Sequence, residues 1–287
     1  MPYDGPIADT HIHIQPWHQL DPQVLAVMRK NRADMDLIER CIASPTMFLD
    51  FMDACGVRRA LLVNYPSPDI MGFDLSVNDF VGAYVRGHEE RLIACGGVLP
   101  SLVDDIPGYM AHLAEGLGIR CIKIHPPHQQ IAPNAYATGG EPRLAQVYEG
   151  CIRHGLPVMV HTGTSIFPGA RSRYGDPLPM DDVAIDFPEL RIILAHAGRP
   201  FWTEEAFFLA RRFPNVYLDL SGIPPQSIKR YLPRIEELAD KVLWGTDWPS
   251  PGVMHPRFNI DLFLEQEFSD EFYRKVCWDN AAKLWLV

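Results

Sequence analysis

Val158-Met159-Val160-His161-Thr162-Gly163 and, further along, Ile193-Leu194-Ala195-His196-Ala197-Gly198 share one shape: a short apolar run, a histidine, a small residue and a glycine. Runs this short that are apolar on both faces read as parallel strands buried on both sides, because a strand with one wet face would alternate. Working outward from Val158 to His161 and Ile192 to His196, the same kind of run recurs six more times. It stands at Ile7 to His11, Ala60 to Val63, Leu92 to Val98, Cys121 to Ile124, Val216 to Leu220 and Val242 to Gly245.

Between these runs lie stretches with helical spacing and charged faces, including Thr46 to Cys55, Asp104 to Glu115, Arg143 to His154, Glu204 to Phe213 and Gln226 to Leu238. A strand followed by a helix, repeated eight times, predicts an α/β fold of the (β/α)8 TIM-barrel type. The first connection is longer than the rest, and Gln15 to Ser44 holds an extra segment in the first βα loop, expected as an excursion over the C-terminal mouth of the barrel. No low-complexity tract or Gly/Ser-rich linker divides the chain, so residues 1–287 are expected to form a single domain.

Composition narrows the partners. With 47% apolar and 22% charged residues the chain has globular composition. Its 26 basic against 36 acidic residues, a net charge of −10, offers no general attraction to nucleic acid or to an anionic membrane. The six cysteines, Cys41, Cys55, Cys95, Cys121, Cys151 and Cys277, are scattered without a C-x-x-C pair, which suits buried thiols in a reducing compartment. The segment Met1 to Pro6 carries neither a basic nor an apolar leader region, and no run approaches about 18 apolar residues. A cytoplasmic location is the expectation.

In a parallel barrel every strand points its C-terminus at one mouth, so reactive residues at those ends converge whatever their separation in sequence. Here His11 and His13 close the first strand at a spacing of two, which puts both imidazoles on one face. His161 ends the fifth strand, His196 the sixth and Asp247 the eighth. A lone strand histidine is ordinarily a hydrogen-bonded core residue; four at the mouth ends of three strands, with an aspartate on another, point to a shared metal or acid-base site.

This ordered set resembles the amidohydrolase superfamily of metal-dependent hydrolases. The phrases Lys123-Ile124-His125-Pro126-Pro127, Asn215-Val216-Tyr217-Leu218-Asp219-Leu220-Ser221 and Gly245-Thr246-Asp247-Trp248-Pro249 resemble its amidohydrolase-related branch, which also contains decarboxylases similar to aminocarboxymuconate semialdehyde decarboxylase. The resemblance implies that His11, His13, His161 and Asp247 hold one divalent metal, with His196 as an acid-base group beside it. Zn2+ suits such ligands, and Mn2+, Fe2+ and Co2+ also accept them. Lys123 closes the fourth strand, where binuclear members place a carboxylated lysine bridging a second metal; uncarboxylated, it would pair with a substrate carboxylate or a mouth aspartate.

Arg199 and His125 join Lys123 as candidate substrate-binding residues. Arg171, Arg173, His128, His18 and Trp17 are weaker candidates for lining the pocket, and Asp219 and Asp9 for supporting a ligand from behind. His88, His112, His154 and His255 read as peripheral. The function expected is metal-dependent hydrolysis of a small carboxylate-bearing lactone, ester or amide, with Asp247 and His196 as catalytic residues. The alternative is non-oxidative decarboxylation of an unsaturated or aromatic acid, which the same residues serve. A small molecule is the expected substrate, and a homodimer the expected assembly if one forms.

Overall fold

The apolar runs become eight strands: β1 Ala8–Ile12, β2 Arg59–Val63, β3 Leu92–Gly97, β4 Cys121–Ile124, β5 Val158–His161, β6 Ile192–Ala195, β7 Val216–Asp219 and β8 Val242–Leu243. Each pairs in parallel with the next, in the order β1 to β8. The computed structural model describes residues 3–253 and 255–285; Met1, Pro2, Met254, Leu286 and Val287 of the expected domain lie outside the described residues. Nearly every strand residue is buried on both faces, inward against the barrel interior and outward against helices, which is why these runs do not alternate.

β8 is shorter than its apolar run, but the chain beyond it still closes the barrel on β1. Thr10 N–H donates to the Trp244 carbonyl at 2.9 Å, Asp247 N–H to the His11 carbonyl at 2.8 Å, and His13 N–H to the Trp248 carbonyl at 2.7 Å. The two chains run too close there for a side chain, since a Cβ on Gly245 would lie 2.8 Å from that of His11. The closing seam therefore carries the H-x-H pair on one side and Asp247 on the other.

Helix Pro45–Cys55 shows how the outer layer is specified. The Ser44 hydroxyl accepts from Met47 N–H at 3.3 Å, Pro45 occupies the first turn, and Gly56 ends the helix in the left-handed region at φ 74°. Phe48, Phe51, Met52 and Cys55 face inward, with Phe48 stacked on Trp248 behind the site. The stretch Gln226 to Leu238 is not the single helix that its spacing suggests. It breaks into the turn Pro225–Ser227, the helix Ile228–Tyr231 and the tight turn Ile235–Lys241, because Pro233 has no N–H to continue the ladder.

The segment after β1 lies at the mouth as expected. It contains helices Pro22–Arg29 and Met35–Ala43, and Met28 reaches the pocket wall. Between the helices, the buried guanidinium of Arg32 donates to the Pro249 carbonyl at 2.7 Å and the Val253 carbonyl at 3.2 Å, tying the excursion to the loop after β8. All six cysteines are buried free thiols. Among the described residues, no helix is long and apolar enough to cross a membrane.

Gly163, just past β5, sits at φ 100° with its backbone against Arg199, and Thr164 N–H donates to the Arg199 carbonyl at 3.0 Å. A methyl group at Gly163 would overlap that carbonyl oxygen as well as strain the backbone. Gly163→Ala is expected to destabilise the fold by about 3 kcal/mol and to move Arg199 out of place. Thermal denaturation checks it; an unchanged midpoint would show that the β5 and β6 loops are not held by this contact.

Candidate active site

The strand C-termini open into a cavity of about 220 Å³, with His11, His13 and Asp247 grouped in its wall. Hydrogen-bond partners settle which ring nitrogens carry protons. His13 Nδ1 lies 3.0 Å from the Val63 carbonyl, which only accepts, so Nδ1 donates and Nε2 presents its lone pair. His11 Nδ1 lies 2.6 Å from Asp219 Oδ2 and donates to that carboxylate, leaving Nε2 as a lone pair too. These two nitrogens face Asp247 Oδ1 at 3.1 Å from His13 and 3.8 Å from His11. With both rings neutral, three electron-pair donors converge with no proton between them, and His11 Nε2 is buried without a partner. A divalent cation fits this arrangement, and the N,N,O donor set suits zinc or manganese.

The layer behind holds these groups in register. Asp219, at the end of β7, accepts from His11 and also from the Ser221 hydroxyl at 2.6 Å and Ser221 N–H at 2.9 Å. Burial pushes its carboxyl up to about 6, against the lowering effect of the Ser221 bonds. A carboxylate bonded to the far nitrogen of a ligating histidine fixes the ring and raises its basicity. Asp9 accepts from Thr246 N–H at 3.0 Å and from the Thr246 hydroxyl at 2.6 Å, which staples β1 to the loop carrying Asp247.

His196 follows β6 at φ 65°, and Asp247 stands at φ 68°; both candidate catalytic residues occupy the left-handed region that non-glycine residues seldom adopt. His196 Nδ1 donates to the Ser221 carbonyl at 2.9 Å, so its Nε2 lone pair is the free end. Burial, then the charge of Arg199, holds its pKa well below the usual imidazole range. Burial raises the Asp247 carboxyl, but charged neighbours, Arg199 among them, bring it below its ordinary value.

Lys123 lies at the base of the pocket, fully buried, with no hydrogen-bond partner for Nζ. Burial lowers its pKa to about 8, opposed by the carboxylates of Asp219 and Asp247. Arg199 Nη2 stands 3.6 Å from Asp247 Oδ2, Nη1 donates to the Thr164 carbonyl at 3.3 Å, and Nε has no partner. His161 lies outside the His11, His13 and Asp247 group, whose ligand atoms are all within 4.8 Å of one another. Both its ring nitrogens are buried and unpartnered. It packs against His196 at 4.6 Å and stacks on His125 at 3.9 Å, and His125 stacks in turn on His128 at 3.5 Å.

The amidohydrolase model matches residues 8–287. The chain belongs to the amidohydrolase family. No protein of curated function matches it. Among solved structures, a TIM-barrel protein of Bordetella bronchiseptica superposes with a TM-score of 0.74 at 21% identity, covering 98% of each chain. 5-Carboxyvanillate decarboxylase from Sphingomonas paucimobilis gives 0.65 at 20% identity, covering 98% of this chain and 99% of its own. Dihydroxybenzoic acid decarboxylase from Polaromonas sp. JS666, solved with manganese and 2-nitroresorcinol, gives 0.71 at 16% identity over 99% and 97%. At these identities the likeness establishes the barrel fold.

Within this amidohydrolase fold, His128 joins the wall as its sequence position suggested, whereas His18 and Trp17 do not: His18 is exposed and Trp17 packs into the core. Arg171 and Arg173 are exposed, the first donating to Gln130 and the second stacking on Tyr174. His88, His112, His154 and His255 lie away from the pocket. Sequence reasoning missed Ser221, Tyr65 and Ser165. The Tyr65 hydroxyl is 2.9 Å from His128 Nδ1, and Ser165 Oγ is 2.7 Å from His128 Nε2. Ser221 had a readable signal, lying in the turn just past β7, two residues after Asp219. Tyr65 follows β2, whose end carries no metal-ligating residue, so nothing local marked it.

Proposed function

We propose that this amidohydrolase is a metal-dependent, non-oxidative decarboxylase of an aromatic or unsaturated carboxylic acid. The observation that carries the reading is the unpartnered Lys123 ammonium beside the His11, His13 and Asp247 group. A substrate carboxylate pairs with a buried ammonium that an uncharged substrate would leave unpaired, and in a decarboxylase that carboxylate is the reacting group. The decarboxylases of the same fold support the same choice over hydrolysis.

His11, His13 and Asp247, with His161 nearby, would hold a divalent ion such as zinc or manganese, which would supply Lewis-acid chemistry in the pocket. Lys123 pairs with the carboxylate and fixes the acid in the pocket, while His125 contributes a flat wall. A proton is delivered to the carbon bearing that carboxylate, the carbon–carbon bond breaks, and CO2 leaves; one proton is consumed per turnover. Asp247 is the proton carrier in this reading, and His196 Nε2 accepts a proton from a substrate hydroxyl or from water.

Carboxyl-labelled hydroxybenzoates and unsaturated diacids, offered to protein loaded with zinc or manganese, are expected to release labelled CO2 with uptake of one proton. Lactone or ester opening without CO2 release from any acid would replace this reading with the hydrolytic one. Metal analysis is expected to find one ion per chain. Two ions, one of them lost in Lys123→Met, would assign Lys123 to a carboxylated bridge and overturn its role as a cation.

A further inference from the structure

Arg32 stands between the two helices of the excursion after β1, and its side chain is only 2% exposed. A buried guanidinium is costly unless each of its five N–H groups finds an acceptor. Here every one does. Nε and Nη2 donate to the two oxygens of Asp34 at 2.9 and 2.8 Å, Nη1 donates to the carbonyls of Pro249 at 2.7 Å and Ser250 at 3.3 Å, and Nη2 also donates to that of Val253 at 3.2 Å. Three carbonyls of the turn 249–253 are thus fixed by a side chain from the opposite end of the sequence.

That turn reaches the reacting group. The Ser250 hydroxyl, in the pocket wall, donates to Asp247 Oδ1 at 3.0 Å, and Ser250 N–H donates to the Asp247 carbonyl at 2.8 Å. Among the described residues Ser250 is the nearest hydrogen-bond donor to the Asp247 carboxylate, because His11 and His13 turn lone pairs toward it and Arg199 Nη2 stays 3.6 Å away. A carboxylate rotates about its last side-chain bond in a broad, shallow well, so a donor on one oxygen decides which lone pair meets the histidines. The backbone at position 247, at φ 68°, is the left-handed form that its neighbours must impose.

We propose that Arg32 is a positioning residue for Asp247, acting through the turn 249–253 and the Ser250 hydroxyl. The excursion after β1 then belongs to the catalytic apparatus although it supplies no reacting group: its buried guanidinium holds the turn, the turn holds Ser250, and Ser250 aims Oδ1 at His11 and His13. The inference rests on the reading of Asp247 as the carboxylate that holds the ion and carries the proton. It is the same for decarboxylation and for hydrolysis, since both use Asp247.

The test compares Ser250→Ala, Arg32→Met and the double variant with the wild-type protein. Zinc affinity is measured by competition with a chromophoric chelator and needs no substrate; kcat and KM are measured on an acid found to release CO2, and the thermal midpoint is recorded beside them. Each single variant is expected to weaken zinc binding and to lower kcat by about tenfold, with KM within about threefold of wild type. The double variant should fall no more than about twofold below the worse single one, because both changes act on one oxygen. Ser250→Thr keeps the hydroxyl and should recover most of both losses. Losses that multiply in the double variant would overturn the proposal. So would a lowered midpoint in Arg32→Met with zinc affinity and kcat unchanged, which is the result of a purely structural staple. Wild-type zinc affinity and turnover in Ser250→Ala would overturn it whether or not Arg32→Met folds. That result beside an inactive Asp247→Asn leaves the reading of Asp247 standing and removes the role of Arg32 alone; an active Asp247→Asn removes both.

Discussion

Asp247→Asn is expected to lower turnover by ~10³-fold or more and to weaken metal binding at the same time. Asn is the informative substitution because it tolerates the left-handed backbone of position 247 and keeps the side-chain shape. It removes the negative charge that faces the lone pairs of His11 and His13, and it removes the group proposed to carry the proton. The amide can also turn its N–H toward His13 Nε2, closing the gap that a cation fits. Turnover on the labelled acids and metal per chain after dialysis are the measurements. Activity within a few-fold of wild type would exclude Asp247 as both ligand and proton carrier.

His196→Asn is expected to separate the two functions, cutting kcat by about 100-fold while leaving the metal content unchanged. Position 196 is also left-handed, so Asn again avoids a backbone penalty. His196 holds its place through Nδ1 and the Ser221 carbonyl, with its ring 4.8 Å from that of His11 but outside the His11, His13 and Asp247 group, and its free Nε2 is the atom lost to the reaction. Arg199 and Lys123 are among the groups that lower its pKa, so the variant removes a neutral proton acceptor rather than a charge. Loss of metal together with activity would make His196 a ligand and require a different assignment of the group formed by His11, His196 and Asp219.

Much of this was legible in the chain alone. Eight apolar runs buried on both faces leave a parallel barrel as the economical solution, and a barrel sends every strand end to one mouth. That rule selects His11, His13, His161, His196 and Asp247 together without any knowledge of distances. It fails where an element is shorter than its pattern, as in the proline-broken stretch Gln226 to Leu238. It is also silent where a pocket residue carries no chemistry visible in one sequence, as with Tyr65 and Ser165.

Strand order, the mouth, the H-x-H pair opposite Asp247 and the buried thiols were thus set by local residue pattern, which needs only the periodicity of a strand and the direction of a parallel sheet. Proton placement on His11, His13 and His196, the unpartnered state of Lys123 and the weak hold on Arg199 were decided by the tertiary structure. Each depends on what lies within about 3 Å of one atom, and those neighbours, Val63, Asp219, Ser221 and Thr164, come from other strands and loops. Reactivity is set by these contacts, so the chain identifies the residues and the fold assigns their charges.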